Sequence, residues 1–85
     1  MNAKERFVAA TLAWINREFA PEGVAIQKDS ALFADRLIDS IRILHLIAWT
    51  EREIGSEIPD RAISMENFAS VQCIADAFLE TSDDR

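Results

Sequence analysis

The sequence predicts an all-α fold: a four-helix bundle with a short third helix and a long loop between helices one and two. Three observations predict it. Apolar residues recur at helical spacing in separate stretches, and no stretch alternates with the period of a strand. Two glycines and two prolines are the only strong breakers, and they fall between those stretches. The chain has 85 residues, 49% of them hydrophobic and 28% charged, which suits one small core. A single domain over residues 1–85 is expected, with its ordered part at about 3–80.

The first helix is expected from residue 2 to about 20. Val8, Leu12, Ile15 and Phe19 form its apolar stripe, with Phe7 and Trp14 at the edge. Asn2 and Glu5 have the spacing of a capping box. Pro21 and Gly23 stop the helix. The next stretch, residues 21–39, is long for a connection in so small a domain. Val24, Ile26, Leu32, Phe33, Leu37 and Ile38 would anchor it, with one helical turn after Ser30 as its cap. The second helix is expected over about 40–54, with Ile43, Leu46, Ile47 and Ile54 on its buried face and Gly55 as terminator. Residues 64–68 can form the short third helix. Ser70 caps the last helix, in which Val71, Ile74, Ala75, Phe78 and Leu79 follow the helical period. The tail Thr81-Ser82-Asp83-Asp84-Arg85 is polar and is expected to fray.

Several function classes have no material to work with. Nine Lys and Arg stand against fifteen Asp and Glu, a net charge of −6, and nucleic-acid binding needs clustered bases. The lone cysteine, Cys73, supports neither a disulfide framework nor a cysteine zinc site. It lies about 200° around the last helix from Val71 and reads as a partly exposed thiol. No apolar run reaches the roughly 18 residues of a membrane span. The N-terminus has acid inside it and no apolar stretch after it, unlike a secretion signal. His45 is the only histidine, so no Ser-His-Asp or Cys-His set can be assembled. Phosphate-loop glycines and metal-ligand spacing are absent as well. A non-catalytic, cytoplasmic, monomeric protein is expected, with no nucleic-acid, membrane or metal partner.

One position stands out. Asp39-Ser40-Ile41 lies where the long loop meets the second helix. Asp or Ser there is an ordinary N-cap. The same place also suits a phosphate on the serine, because a helix N-terminus presents free N–H groups and a positive dipole end. Both readings stay open on geometry alone.

The wider pattern resembles the acyl and peptidyl carrier protein family. Leu37-Ile38-Asp39-Ser40-Ile41 is similar to that family's Asp-Ser-Leu attachment motif, with Ile for Leu. Glu57-Ile58-Pro59-Asp60 resembles its turn after the second helix. Asn67-Phe68-Ala69-Ser70-Val71 resembles the entry to its last helix. The resemblance spans nearly the whole chain. It implies that Ser40 carries 4′-phosphopantetheine, received from coenzyme A through a phosphopantetheinyl transferase. The arm's thiol would hold acyl or aminoacyl groups as thioesters, loaded by a ligase and passed to downstream transferases. The alternative is a helical protein–protein interaction module in which Ser40 is only a cap. A small metabolic enzyme is disfavoured.

The chain departs from fatty-acid carriers in its second helix, which is nearly neutral rather than acidic. Arg42, His45, Trp49 and Arg52, spaced 3, 4 and 3 apart, form a stripe expected opposite the apolar face. It reads as a partner surface with a Trp anchor between arginines. An ordinary solvated face, with Trp49 folded over its neighbours, is the other reading. Asp39, Ile41 and Ile63 complete the expected partner-binding set. The departure points to a specialised or aminoacyl carrier rather than the housekeeping fatty-acid one.

Overall fold

The computed structural model describes residues 2–20 and 23–79. Pro21 and the tail from residue 80 onward, including the stretch expected to fray, lie outside the described residues. Three α-helices form: α1 (Ala3–Glu18), α2 (Arg42–Ile54) and α3 (Val71–Phe78), with a 3-10 turn at Asp60–Ala62. No strand occurs among the described residues.

α1 starts as its first residues predict. The Asn2 side chain accepts the Glu5 N–H at 2.8 Å, and the Glu5 carboxylate accepts the Asn2 N–H at 3.0 Å. The buried face is not the expected one. Phe7, Thr11 and Ile15 are buried, while Val8, Leu12 and Phe19 are only half-buried. Phe7, expected at the edge, is 4% exposed. A threonine can take this core position because its hydroxyl has a partner there: the Trp49 indole N–H donates to it at 2.9 Å.

α2 buries Leu46 and Thr50, with Ile43, Ile47 and Ile54 half-buried around them. The Thr50 hydroxyl is satisfied by donating to the Leu46 carbonyl at 2.8 Å. Gly55 ends the helix at φ +76°, a conformation that costs glycine no side-chain clash. Glu51 reaches past this end and accepts the N–H of buried Ile58 at 2.9 Å. α3 begins at Ser70, whose hydroxyl accepts the Cys73 N–H at 3.1 Å. Val71, Ile74 and Ala75 are buried, and α3 packs directly on α1. Lys4 of α1 and Asp76 of α3 pair at 3.0 Å. That ammonium, helped by the Gln72 amide, holds the Asp76 carboxyl below its ordinary value.

The expected helix over residues 64–68 is a single turn, closed by the Phe68 N–H on the Ser64 carbonyl. Its donors are used locally. The Ser64 hydroxyl accepts the Asn67 N–H, and the Asn67 amide donates to the Ala62 carbonyl. Ser70 is fully extended, so no helix continues through it.

The long loop belongs to the core. Ile26, Leu32 and Ile38 are buried, Phe33 and Leu37 half-buried; Val24, expected as an anchor, is exposed. Asn16 of α1 brackets Ile26. Its Oδ1 accepts the Ile26 N–H at 2.7 Å, and its Nδ2 donates to the Ile26 carbonyl at 3.0 Å. The same Nδ2 also meets the Leu12 carbonyl at 2.9 Å. On the other side, Leu32 N–H donates to the Ala69 carbonyl, and Gln72 N–H donates to the Lys28 carbonyl, both at 2.8 Å. The expected helical turn does close, from Asp35 N–H to the Ala31 carbonyl. Ser30 does not cap it; its hydroxyl turns back to the Gln27 N–H.

Replacing Asn16 by Ala strands the Ile26 amide groups in a half-buried place. Urea unfolding of Asn16→Ala is expected to give a loss of about 2–3 kcal/mol.

Candidate functional site

The loop delivers Ser40 in three steps. Leu37 and Ile38 both donate their N–H groups to the Leu32 carbonyl, at 2.8 and 3.0 Å. Ile38 then plugs into the core at 4% exposure. Asp39 follows as a clamp. Its Oδ1 accepts the N–H groups of Ile41 at 3.1 Å and Arg42 at 2.7 Å. Its own carbonyl accepts the Ile43 N–H at 3.0 Å. The capping bonds at this helix start are therefore made by Asp39, and α2 proper begins at Arg42, two residues later than expected.

Ser40 is left on the outside of this turn. Its side chain is exposed, and among the described residues nothing hydrogen-bonds to its hydroxyl. The Arg42 N–H is the main cause that holds the Asp39 carboxyl below its ordinary value, with the Ile41 N–H and the Arg42 charge adding to it.

Beside Ser40 runs an apolar groove of about 230 Å³. Phe33, Ser40, Ile43, Ile63, Ser64, Met65 and Phe68 line it. Met65 is 69% exposed, and Ile41 and Leu44 are similarly open. Of the expected partner set, Asp39 and Ile41 adjoin Ser40 in the chain, and Ile63 shares the groove with it. Phe33, Ile43, Ser64, Met65 and Phe68 were not singled out for this place. Met65 had one signal: a large apolar residue, off any helical stripe, in a polar stretch.

The other four residues, expected opposite the apolar face of α2, form a separate cluster against Trp14 of α1 and its C-cap Phe19. The Trp49 ring stacks on Trp14 at 4.7 Å, 8° from parallel, and its N–H enters the core to reach Thr11. Arg52 lies over the Trp49 ring at 5.5 Å. Arg42 lies over the Phe19 ring at 5.4 Å, with Nη1 3.5 Å from the Phe19 carbonyl. The His45 ring is 6.0 Å from that of Phe19. Trp49 is thus half-buried as a strut between α1 and α2, while Arg42, His45 and Arg52 stay exposed around it.

Other features are plain. A hollow of about 640 Å³ is an open saddle over the start of α1, Glu53 and Leu79, and holds none of the candidate residues. Cys73 is half-buried. Among the described residues, no three His, Cys, Asp or Glu side chains are placed to hold a metal ion, and no helix is long and apolar enough to cross a membrane. Compared with models of protein families, with curated proteins and with solved structures, the chain matches none.

Two outcomes are expected here. Thr11→Val and Trp49→Phe each leave one partner of the Thr11–Trp49 hydrogen bond unpaired and should each cost about 1–2 kcal/mol. The double variant should recover part of that loss in a denaturation cycle. A carboxyl held low in the fold stabilises above its unfolded pKa and ceases to do so as pH falls through the folded value. For Asp39 that window lies below 3.8. Asp39→Asn keeps the acceptor and loses the charge. Acid titration followed by circular dichroism should show a shallower loss of stability in that variant than in the parent.

Proposed function

We propose that this chain is a carrier protein. Ser40 would bear a 4′-phosphopantetheine arm, and the arm's thiol would hold acyl or aminoacyl intermediates as thioesters. The observation that carries the reading is the free Ser40 hydroxyl. In the motif Asp39-Ser40-Ile41, Asp39 makes the capping bonds and Ser40 stands exposed beside them. A serine needed only as a cap would spend its oxygen on the helix N–H groups.

The attachment step balances simply. The Ser40 oxygen attacks the pantetheine-bearing phosphorus of coenzyme A. A new phosphorus–oxygen bond forms, the pyrophosphate bond breaks, and adenosine 3′,5′-bisphosphate leaves. The serine proton passes to a base of the transferase. This chain supplies the nucleophilic oxygen once and takes no part in later turnover. Its service is local concentration: a tethered intermediate meets successive enzymes at an effective concentration set by the arm.

In this reading the turn at residues 64–68 would stand in for the short third helix of a four-helix carrier bundle. The nearly neutral α2 fits partners other than the enzymes that dock an acidic helix, and so a specialised or aminoacyl cargo. The expected partners are a phosphopantetheinyl transferase, a loading ligase and downstream transferases of the cytoplasm. The open apolar side chains Ile41, Leu44 and Met65 favour a second reading, a helical protein-interaction module without an arm.

Intact mass separates the two. The protein is incubated with coenzyme A and a broad-specificity phosphopantetheinyl transferase, beside Ser40→Ala. The expected result is a gain of one phosphopantetheine on the parent alone. Because Ser40 makes no capping bond, the variant should melt within about 0.5 kcal/mol of the parent. A folded parent that gains no mass with several transferases speaks for the module.

A further inference from the structure

We propose that the cleft along the seam between α1 and α2 docks an acidic segment of a partner protein, with carboxylates at two points and an apolar side chain between them. The inference goes beyond the arm and holds whether or not Ser40 carries one. The cleft has about 360 Å³ and shares no lining residue with the groove beside Ser40. Trp14, Phe19 and Trp49 are its aromatic lining, and Glu18, His45 and Arg52 its polar lining. Arg42 adjoins it over the Phe19 ring.

Charge names the occupant. The chain carries −6 overall, yet the cations here have no acid to meet. Glu18 is the one carboxylate in the lining, and Arg17 pairs with it at 3.2 Å. On α2, Glu51 accepts the Ile58 N–H, and Glu53 lines the saddle over the start of α1. Among the described residues no carboxylate pairs with Arg42 or Arg52. Both guanidinium groups are instead held over rings, at 5.4 and 5.5 Å. A guanidinium held that way is oriented in advance and keeps N–H donors for a carboxylate.

Spacing decides between a small anion and a chain. Arg42 and Arg52 stand on the same helix, about 15 Å apart along its axis. One small anion does not bridge that distance, whereas an extended chain does so in about five residues. The half-buried rings beside the two cations offer contact to an apolar side chain between its acids. Trp and Arg are also the residue types that carry much of the energy at protein interfaces.

The experiment titrates nitrogen-labelled protein with a capped peptide of about seven residues, glutamates at both ends and leucines between. NMR follows the Arg42 and Arg52 side-chain N–H groups and the Trp14 and Trp49 indoles. Docking predicts saturable shifts at both arginines and both indoles that weaken as salt is raised. The same peptide with glutamine or lysine for glutamate should bind about tenfold weaker or less tightly still. Arg42→Gln/Arg52→Gln should lose the binding with the fold intact by circular dichroism. Arg52→Lys, which keeps the charge without the planar fork, should bind a few-fold weaker. Ser40→Ala should bind as the parent does, which separates this site from the carrier reading. Equal binding of the glutamate and glutamine peptides overturns the proposal. So does tighter binding of a single-stranded oligonucleotide at the same resonances, which would give the cleft to nucleic acid.

Discussion

Eighty-five residues enclose too little interior for a long first loop to ride free on the surface. Everything else in this structure follows from how that loop is held. Ile26, Leu32 and Ile38 supply core that the helices alone lack. Asn16 fastens one end to α1, and the Leu32 and Gln72 backbone bonds fasten the middle to the entrance of α3. With Ile38 inserted, the next residues have one course open to them. Asp39 turns onto the helix start and Ser40 turns out. The placement of one hydroxyl is thus set by Ile38 and Leu32 close by and by Ile26 and Asn16 further upstream.

α2 is attached by different means. α1 and α3 pack directly on each other, whereas α2 is joined to α1 through large rings. Trp14 and Trp49 stack, Phe19 meets Trp14 edge-on at 5.1 Å, and two guanidinium groups cover the outer faces. Such pairs add modest energy beyond the area they bury. Their geometry adds direction: the indole N–H fixes the rotation of α2 by pointing at Thr11.

Much of this was legible in the residues. The capping box at Asn2, the glycine stop at Gly55 and the Ser70 cap depend on neighbours three or four positions away, and local chemistry settles them. What was not legible depends on distant partners. Thr11 is a core residue only because Trp49 arrives beside it, so the α1 stripe is rotated from the purely apolar one. Trp49 was placed on an outer stripe by helical arithmetic, which knows nothing of α1. Residues 64–68 have enough helix pattern for a helix, but Asn67 and Ser64 spend the donors on one turn. At the site, the position of Ser40 was plain from its motif. Which of two adjacent polar residues would cap was not, since both types are favoured there. The groove was hidden too, because its walls come from three separate stretches of chain.

The aromatic seam has one more consequence. The chain has two tryptophans and no tyrosine, and both tryptophans lie in the same stacked pair. All of its near-ultraviolet indole signal therefore originates at the joint between α1 and α2. Tryptophan fluorescence therefore reports on the Ser40 side of the molecule only through a disturbance carried along α2. The protein holds its own strain gauge, mounted on the joint between α1 and α2.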